Sequence, residues 1–187
     1  MGPPRKDDPA ARDRLAHLYE SHAGVVFGYL RRRTDQATAE DLLTEVFLVA
    51  WSRIGQIPQH EVGWLCGVAR NLLANHNRAN RRREQHEMRN FHLEVPLAST
   101  QMPETSIDTD LMRALQQLSS HDREILTLIA WDGLNNAEAA AALGCRLATF
   151  NVRLHRARRR FARHLAATEK DRPIVVPQRR MQEANGE

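Results

Sequence analysis

Residues 144–165, GCRLATFNVRLHRARRRFARHL, constrain the fold more than any other stretch of this chain. Phe150, Leu154, Ala157, Phe161 and Leu165 step by four, three, four and four, the spacing of one apolar stripe on an α-helix. At about 100° per residue, the opposite face gathers Ala148, Val152, His155, Arg156, Arg159 and Arg163, with Asn151 and Arg160 at its edges. A stripe that must be buried, backed by arginines, predicts a helix packed on a small domain and turned outward to a polyanion. For a charged helix taken alone, a face that simply meets water is the competing reading. Val152 is the oddity, because water gives no reason for an apolar residue at the centre of that face. A thymine methyl in a DNA major groove would.

The preceding residues decide between the two. Asn135-Asn136-Ala137-Glu138 offers an Asn cap with Glu three residues on, as in a capping box. A short alanine-rich helix over 137–143 follows, and Gly144 ends it. Short helix, glycine turn and basic amphipathic helix make a helix-turn-helix. Upstream, Ile107, Leu111, Leu115 and Leu118 carry a helical period. Ser120 is expected to cap a helix bearing Ile125, Leu128 and Ile129, and Gly133 to end it as the C′ residue.

The other half is helical as well. Residues 1–11 are rich in proline and charge and are expected to be disordered. From Arg12, the positions Leu15, Leu18, Tyr19, Val26, Phe27 and Leu30 recur at helical spacing, in one or two helices ending at Arg31-Arg32-Arg33. Thr38 is expected to cap the next helix, with Glu40 and Asp41 in its first turn. That helix buries Leu42, Leu43, Val46, Phe47 and Ala50, and shows Asp41, Thr44, Glu45, Leu48 and Ser52. A lone exposed leucine is ordinary; among acids it also fits the anchor of a protein-docking face.

Gly55 and Pro58 make 53–62 a loop. A helix over 63–83 then turns Trp64, Leu65, Val68, Ala69, Leu72 and Leu73 inward. Gly67, Arg70, Ala74, Asn77, Arg78 and Arg81 face outward, with Trp64 and Asn71 at the edge. Gly67 and Ala74 leave that face flat enough for a ligand backbone to approach, beside Asn and Arg donors for bases or phosphates. Residues 84–109 hold no sustained period and read as a linker, and 168–187 as a disordered tail.

With 42% hydrophobic and 5% aromatic residues, the composition supports modest helical cores and argues against a large sheet. The expected fold is all-α: two small helical domains, 12–83 and 110–167, joined by an extended linker, the second ending in the helix-turn-helix. The net charge is only +4, yet arginines cluster at 78–83 and 153–163, which suggests two contacts with nucleic acid, or one contact and a tail. Cys66 and Cys145 are far apart and in no metal spacing, so a reducing cytosol is the simpler setting. The N-terminus lacks a secretory apolar core, and the longest apolar run, 46–51, is too short to span a bilayer; a cytoplasmic protein without membrane insertion is expected. His76, His86, His121, His155 and His164 form no ligand spacing, and there is no glycine-rich phosphate loop or nucleophile motif. Neither enzymatic activity nor a cofactor or metal is expected.

Three segments carry a family resemblance: Asp41-Leu42-Leu43-Thr44-Glu45-Val46-Phe47-Leu48-Val49-Ala50-Trp51, then Trp64-Leu65 with Ala69-Arg70-Asn71-Leu72, then Arg153-Leu154-His155-Arg156-Ala157-Arg158. In order and spacing they resemble the extracytoplasmic-function sigma factors, small members of the sigma-70 family of bacterial RNA polymerase subunits, over about 12–83 and 110–166. The resemblance implies an alternative sigma factor that binds core RNA polymerase and directs initiation at promoters with −10 and −35 elements. It implies that Asp41, Thr44, Glu45 and Leu48 dock on the β′ clamp helices. It assigns the −10 element to the loop 53–62, which captures a flipped base, and to Trp64, Arg70 and Asn71; Arg53 and Gln56 of that loop and Asn77, Arg78 and Arg81 of the outward helix face are expected to join them. It assigns the −35 element to Asn151, Val152, His155 and Arg156, and Ala148, Thr149 and Arg159 of the same helix are expected to join them. The β flap, promoter DNA and an anti-sigma protein are the other implied partners. Thr44 stands where the family usually has Gln, Arg146 where Ser or Pro often caps, Asn151-Val152 for Lys-Ser, and Asn135-Asn136 for a Ser/Thr-aromatic pair. A helix-turn-helix regulator acting on duplex DNA without polymerase is the alternative that the residues leave open.

Overall fold

Helix α1 begins where Asp8 turns its carboxylate back to accept the Ala11 amide at 3.2 Å, with Pro9 in the first turn, where its missing N–H costs nothing. The computed structural model describes residues 8–87 and 106–170, with side chains over 8–82 and 110–167. The helices are α1 (Pro9–Arg31), α2 (Gln36–Ser52), α3 (Glu61–Glu87), α4 (Ser106–Gln116), α5 (Ser120–Ala130), α6 (Asn136–Ala142) and α7 (Leu147–Lys170), with one 3-10 turn at Ile54–Gln56. No strand occurs among the described residues.

Several starts differ from the sequence-based expectation. Residues 9–11 are helical rather than disordered, because the Asp-Pro pair is itself a start signal and Ala11 is buried; residues 1–7 lie outside the described residues. The α2 cap is Asp35, not Thr38: Asp35 accepts the Thr38 amide at 3.0 Å and its hydroxyl at 2.7 Å. Ser119, not Ser120, caps α5. Gly133 has φ +70°, yet the C-cap is Trp131, so the glycine lies one residue past C′. The capping box of Asn135 and Glu138 is present. Gly144, at φ +62°, closes α6 in a Schellman turn: the Cys145 amide donates to the Ala140 carbonyl and the Gly144 amide to Ala141. Helices α3 and α4 enter the stretch read as linker at both its ends, and α7 runs on through Lys170; 88–105 and 171–187 lie outside the described residues.

The amide and hydroxyl of Thr38, accepted by Asp35, hold its carboxyl down from 3.8 to about 2. The folded value is depressed, so its contribution is fully present above the ordinary carboxylate range and is lost as pH falls through about 2. The Thr38 amide resonance should therefore titrate near pH 2 rather than near 4, and Asp35→Asn should abolish that titration. A midpoint near 4 would mean the cap is not formed in solution.

Helices α1, α2 and α3 pack around Leu18, Val26, Leu30, Leu42, Val46, Leu65 and Ala69. Helices α4, α5 and α6 pack on α7 through Ile125, Leu128, Phe150, Leu154 and Ala157. The two sets form one continuous core, because α3 lies against α6. Separate domains expected from the sequence thus meet through the helix read as a DNA-facing element.

Candidate nucleic-acid interface

The outer face of α7 stands as the periodicity implies. Phe150, Leu154 and Ala157 are buried, while Ala148, Thr149, Asn151, Val152, His155, Arg156 and Arg159 are exposed, Val152 at 51%. Arg160 leaves this set. Its guanidinium holds both carboxylate oxygens of Asp122 at 2.8 and 2.7 Å, pinning α7 to the start of α5. The Asn136 side-chain amide donates to Asn151 Oδ1 at 3.0 Å across the turn of the helix-turn-helix. Two residues at which the chain departs from its apparent family therefore touch each other.

On α3, Asn71, Asn77, Arg78 and Arg81 are exposed and Trp64 is half-buried against the core. Arg53 and Gln56 are exposed on a turn more ordered than a plain loop, because Ile54 and Ile57 are buried on either side. Gly67 and Arg70 do not face open solvent as expected. A Cβ on Gly67 would lie 3.3 Å from the Ala142 carbonyl oxygen and 3.5 Å from its Cα. One on Gly63 would strike the Glu138 backbone, with Cα at 2.8 Å. The close backbone approach anticipated at Gly67 exists, but the approaching backbone is α6 of the same chain. Arg70 Nε donates to Glu124 Oε1 at 2.7 Å and Nη2 to Oε2 at 3.3 Å, and this bond to Glu124 raises the guanidinium pKa further.

Sequence reading missed Arg32, Arg33, Asp132 and Glu124. At the end of α1, Arg32 Nε donates to Asp132 Oδ1 at 2.9 Å and Arg33 Nη2 to Oδ2 at 3.1 Å, while Arg33 also stacks 3.7 Å over the Tyr29 ring. The Asp132 side chain is fully buried beneath these guanidiniums. The Arg31-Arg32-Arg33 triplet was the only signal available, and it read as a helix end.

A second exposed face lies on α2. Asp41, Thr44, Glu45 and Leu48 all meet solvent, Leu48 at 63%, and the Thr44 hydroxyl donates to its own backbone at Glu40. Tyr19, read as one of the apolar helical positions, is instead 52% exposed and sets its ring edge-on to Phe47 at 4.8 Å. On the C-terminal half, Leu111, Leu115, Leu126, Ile129, Leu154 and Phe161, with Trp131 and Arg158, line an apolar cleft of about 290 Å³. Among the described residues no group of three or more His, Cys, Asp and Glu could hold a metal, both cysteines are free, and no helix is long and apolar enough to cross a membrane.

Comparison with known proteins matches sigma-70 region 2 to residues 18–83 and sigma-70 region 4 to residues 108–161. The chain is 32% identical over 169 residues to the ECF RNA polymerase sigma factor BldN of Streptomyces coelicolor, covering 82% of this chain and 61% of that protein. It is 32% identical over 151 residues to the ECF sigma factor SigL of Mycobacterium tuberculosis, covering 74% of this chain and 81% of SigL. Among solved structures, the sigma factor RpoE of Bartonella quintana, in complex with the anti-sigma factor NepR, superposes with a TM-score of 0.53 at 25% identity, over 83% of this chain and 96% of that one. CnrH, solved with the cytosolic domain of CnrY, shares the fold at a TM-score of 0.52 and 20% identity, over 84% of this chain and 95% of that one.

Proposed function

Because this chain belongs to the extracytoplasmic-function sigma factors of the sigma-70 family, we propose that it binds core RNA polymerase and directs initiation at promoters bearing −10 and −35 elements. The observation that carries this reading is a division of labour: an acidic face with an exposed leucine on one helical unit, and a helix-turn-helix with an outward valine among arginines on the other. The protein has no catalytic role of its own and works in the cytoplasm with polymerase. An anti-sigma protein, as in the RpoE complex with NepR, is its expected inhibitor. Residues 12–83 act as region 2, 84–109 as the connection between the units, and 110–167 as region 4.

Asp41, Thr44, Glu45 and Leu48 meet the β′ clamp helices, with Tyr19 extending the apolar part of the patch. The apolar cleft on the C-terminal half suits a hydrophobic element such as the β flap. Arg53, Gln56, Trp64, Arg70, Asn71, Asn77, Arg78 and Arg81 serve the −10 strand, where an opened duplex needs pockets for extruded bases and cations for phosphates. Ala148, Thr149, Asn151, Val152, His155, Arg156 and Arg159 serve the −35 groove.

Asn136 gives this −35 reading a chemical direction. Its amide occupies one lone pair of Asn151 Oδ1, which leaves Asn151 presenting mainly N–H donors. Donors match guanine O6 and N7 or thymine O4 better than adenine, whose bidentate recognition needs that oxygen free. Asn136→Ala should shift the preference at the Asn151 position toward adenine. Val152→Ser should change the preferred −35 base beside it, and Arg156→Ala should weaken −35-dependent transcription about tenfold, equivalent to ~1–2 kcal/mol. Initiation from a randomised −35 promoter library measures all three. Unchanged preference with Val152→Ser removes the thymine-methyl argument.

The test of the reading as a whole is partner dependence. The protein should co-purify with core polymerase and need it for tight promoter binding. Tight binding to a duplex operator by the protein alone, with no affinity for core enzyme, would establish the regulator reading instead.

A further inference from the structure

We propose that the segment after α7 folds back and seats Ile174 and Val176 in the apolar cleft of the C-terminal half, where it competes with the polymerase element that the cleft serves. The competition rests on the assignment of that cleft to the β flap. The seating of the segment does not.

The cleft, about 290 Å³, lies between α4, α5 and α7. Leu126, Ile129 and Phe161 are only partly buried along it, and Trp131, at the end of α5, stands 39% exposed. Water gains nothing from such a surface, so its chemistry calls for an aliphatic cover. Arg158 is exposed at the same cleft and brings donors for the carbonyls of an incoming main chain.

Composition selects residues 171–187 as that cover. Ile174-Val175-Val176 is a run of β-branched aliphatics, favoured in extended chain. Apart from Met181 and Ala184, every other residue of 171–187 is polar, charged, proline or glycine. Pro173 and Pro177 bracket the run. Pro173 also bars α7, which ends at Lys170, from continuing through it, because proline lacks the N–H and crowds the residue before it. The chain must leave the helix axis just before its apolar run.

Reach and register agree with this. From Phe161 to Lys170 the helix rises ~14 Å at about 1.5 Å per residue. Residues 171–174 span about the same distance at ~3.5 Å each. A segment running back along α7 therefore brings Ile174 level with Phe161. From Phe161 to Leu154, which also lines the cleft, is ~10 Å along the axis, the length of about three extended residues. In extended chain Ile174 and Val176 share one side and Val175 takes the other.

Two aliphatic side chains support only a weak contact, Kd ~0.3 mM in trans. The short tether raises the local concentration to ~1–3 mM. The cleft is then covered in most molecules, and a competitor binds about fourfold to tenfold more weakly.

The test uses the full chain and its variant Ile174→Asp with Val176→Asp, whose changes lie outside the helices. The Trp131 indole N–H resonance is identified among the three tryptophans by Trp131→Phe. It should move in the double variant and stay in place in Val175→Asp, which alters the opposite side. A synthetic peptide of residues 171–187 should return it toward its original position, and the same peptide carrying both aspartates should not. Ala130 is exposed and lines the cleft, so Ala130→Lys in the double variant should abolish the response to the peptide without disturbing the core. The double variant should also bind core polymerase about fourfold to tenfold more tightly. An indole resonance that is the same in the double variant and ignores the peptide would overturn the seating. So would one that moves with protein concentration in every form, which would make a second copy the occupant. Seating with unchanged core affinity would overturn the competition. Failure of every form to bind core polymerase would sink the sigma-factor reading alone, because Trp131 reports the seated segment without polymerase.

Discussion

Leu48→Asp should weaken binding to core polymerase by roughly thirtyfold or more, ~2 kcal/mol, while leaving helix content and cooperative melting in place. Leu48 is 63% exposed near the end of α2, and its neighbours on that face, Asp41, Thr44 and Glu45, are exposed too. Water gains nothing from such a leucine. Covering it in a partner's groove would recover about 25 cal/mol for each Å² of apolar surface removed, ~2 kcal/mol for most of a leucine side chain. An aspartate there forfeits that gain and must also be desolvated on docking. In the free chain the cost is only the poorer helix propensity of Asp, about 0.5 kcal/mol, and its unfavourable place in the helix dipole. Titration of labelled protein with core enzyme and a thermal melt of the same variant measure the two quantities separately. Loss of cooperative melting would show that Leu48 is a core residue and that the docking face is wrong.

Phe150→Ala should destabilise the C-terminal half by ~3–5 kcal/mol, the range for truncating a large buried aromatic. Phe150 is fully buried near the start of α7, one turn before Leu154, and holds the recognition helix on its support. A cavity there cannot be relieved from the solvent side, because the polar residues around it face outward. Loss of that anchor should abolish −35-dependent initiation, although Phe150 itself touches no DNA in the proposed reading. Binding to core polymerase through α2 should survive, since α1, α2 and α3 have their own buried residues. Urea denaturation followed by circular dichroism and a core-binding titration provide the check. An unchanged denaturation midpoint would contradict the burial, and joint loss of both activities would mean that the two halves cannot fold separately.

Local physics made much of the fold legible. The stripe of Phe150, Leu154 and Ala157 is buried, and the arginine face opposite is exposed. Asn135 with Glu138 forms the expected capping box, because a cap is decided within four residues. Helix starts slipped where two candidate caps competed. Asp35 displaced Thr38 because its carboxylate takes both the amide and the hydroxyl of that threonine, and Ser119 displaced Ser120 because its hydroxyl oxygen accepts the Asp122 amide. Asp8-Pro9 was hidden by the composition of the stretch around it, although the pair alone is a start signal.

Contacts between distant residues were a different matter. By angle Arg160 sits at the edge of the outward face, and nothing in the spacing showed that Asp122, 38 positions away, would claim it. Tyr19 looked like core by spacing and stands half exposed. The face of Gly67 and Arg70 was recognised as one that another backbone would approach, but periodicity cannot say whose backbone. Residue order and spacing determined the helices, the helix-turn-helix, the exposed leucine among acids and the family, because each depends on neighbours within a few turns. Only the tertiary structure decided that α6 fills the glycine seat on α3 and that Asp132 and Glu124 hold Arg32, Arg33 and Arg70, because an ion pair across tens of residues leaves no period in the chain and exists only once the two halves have met.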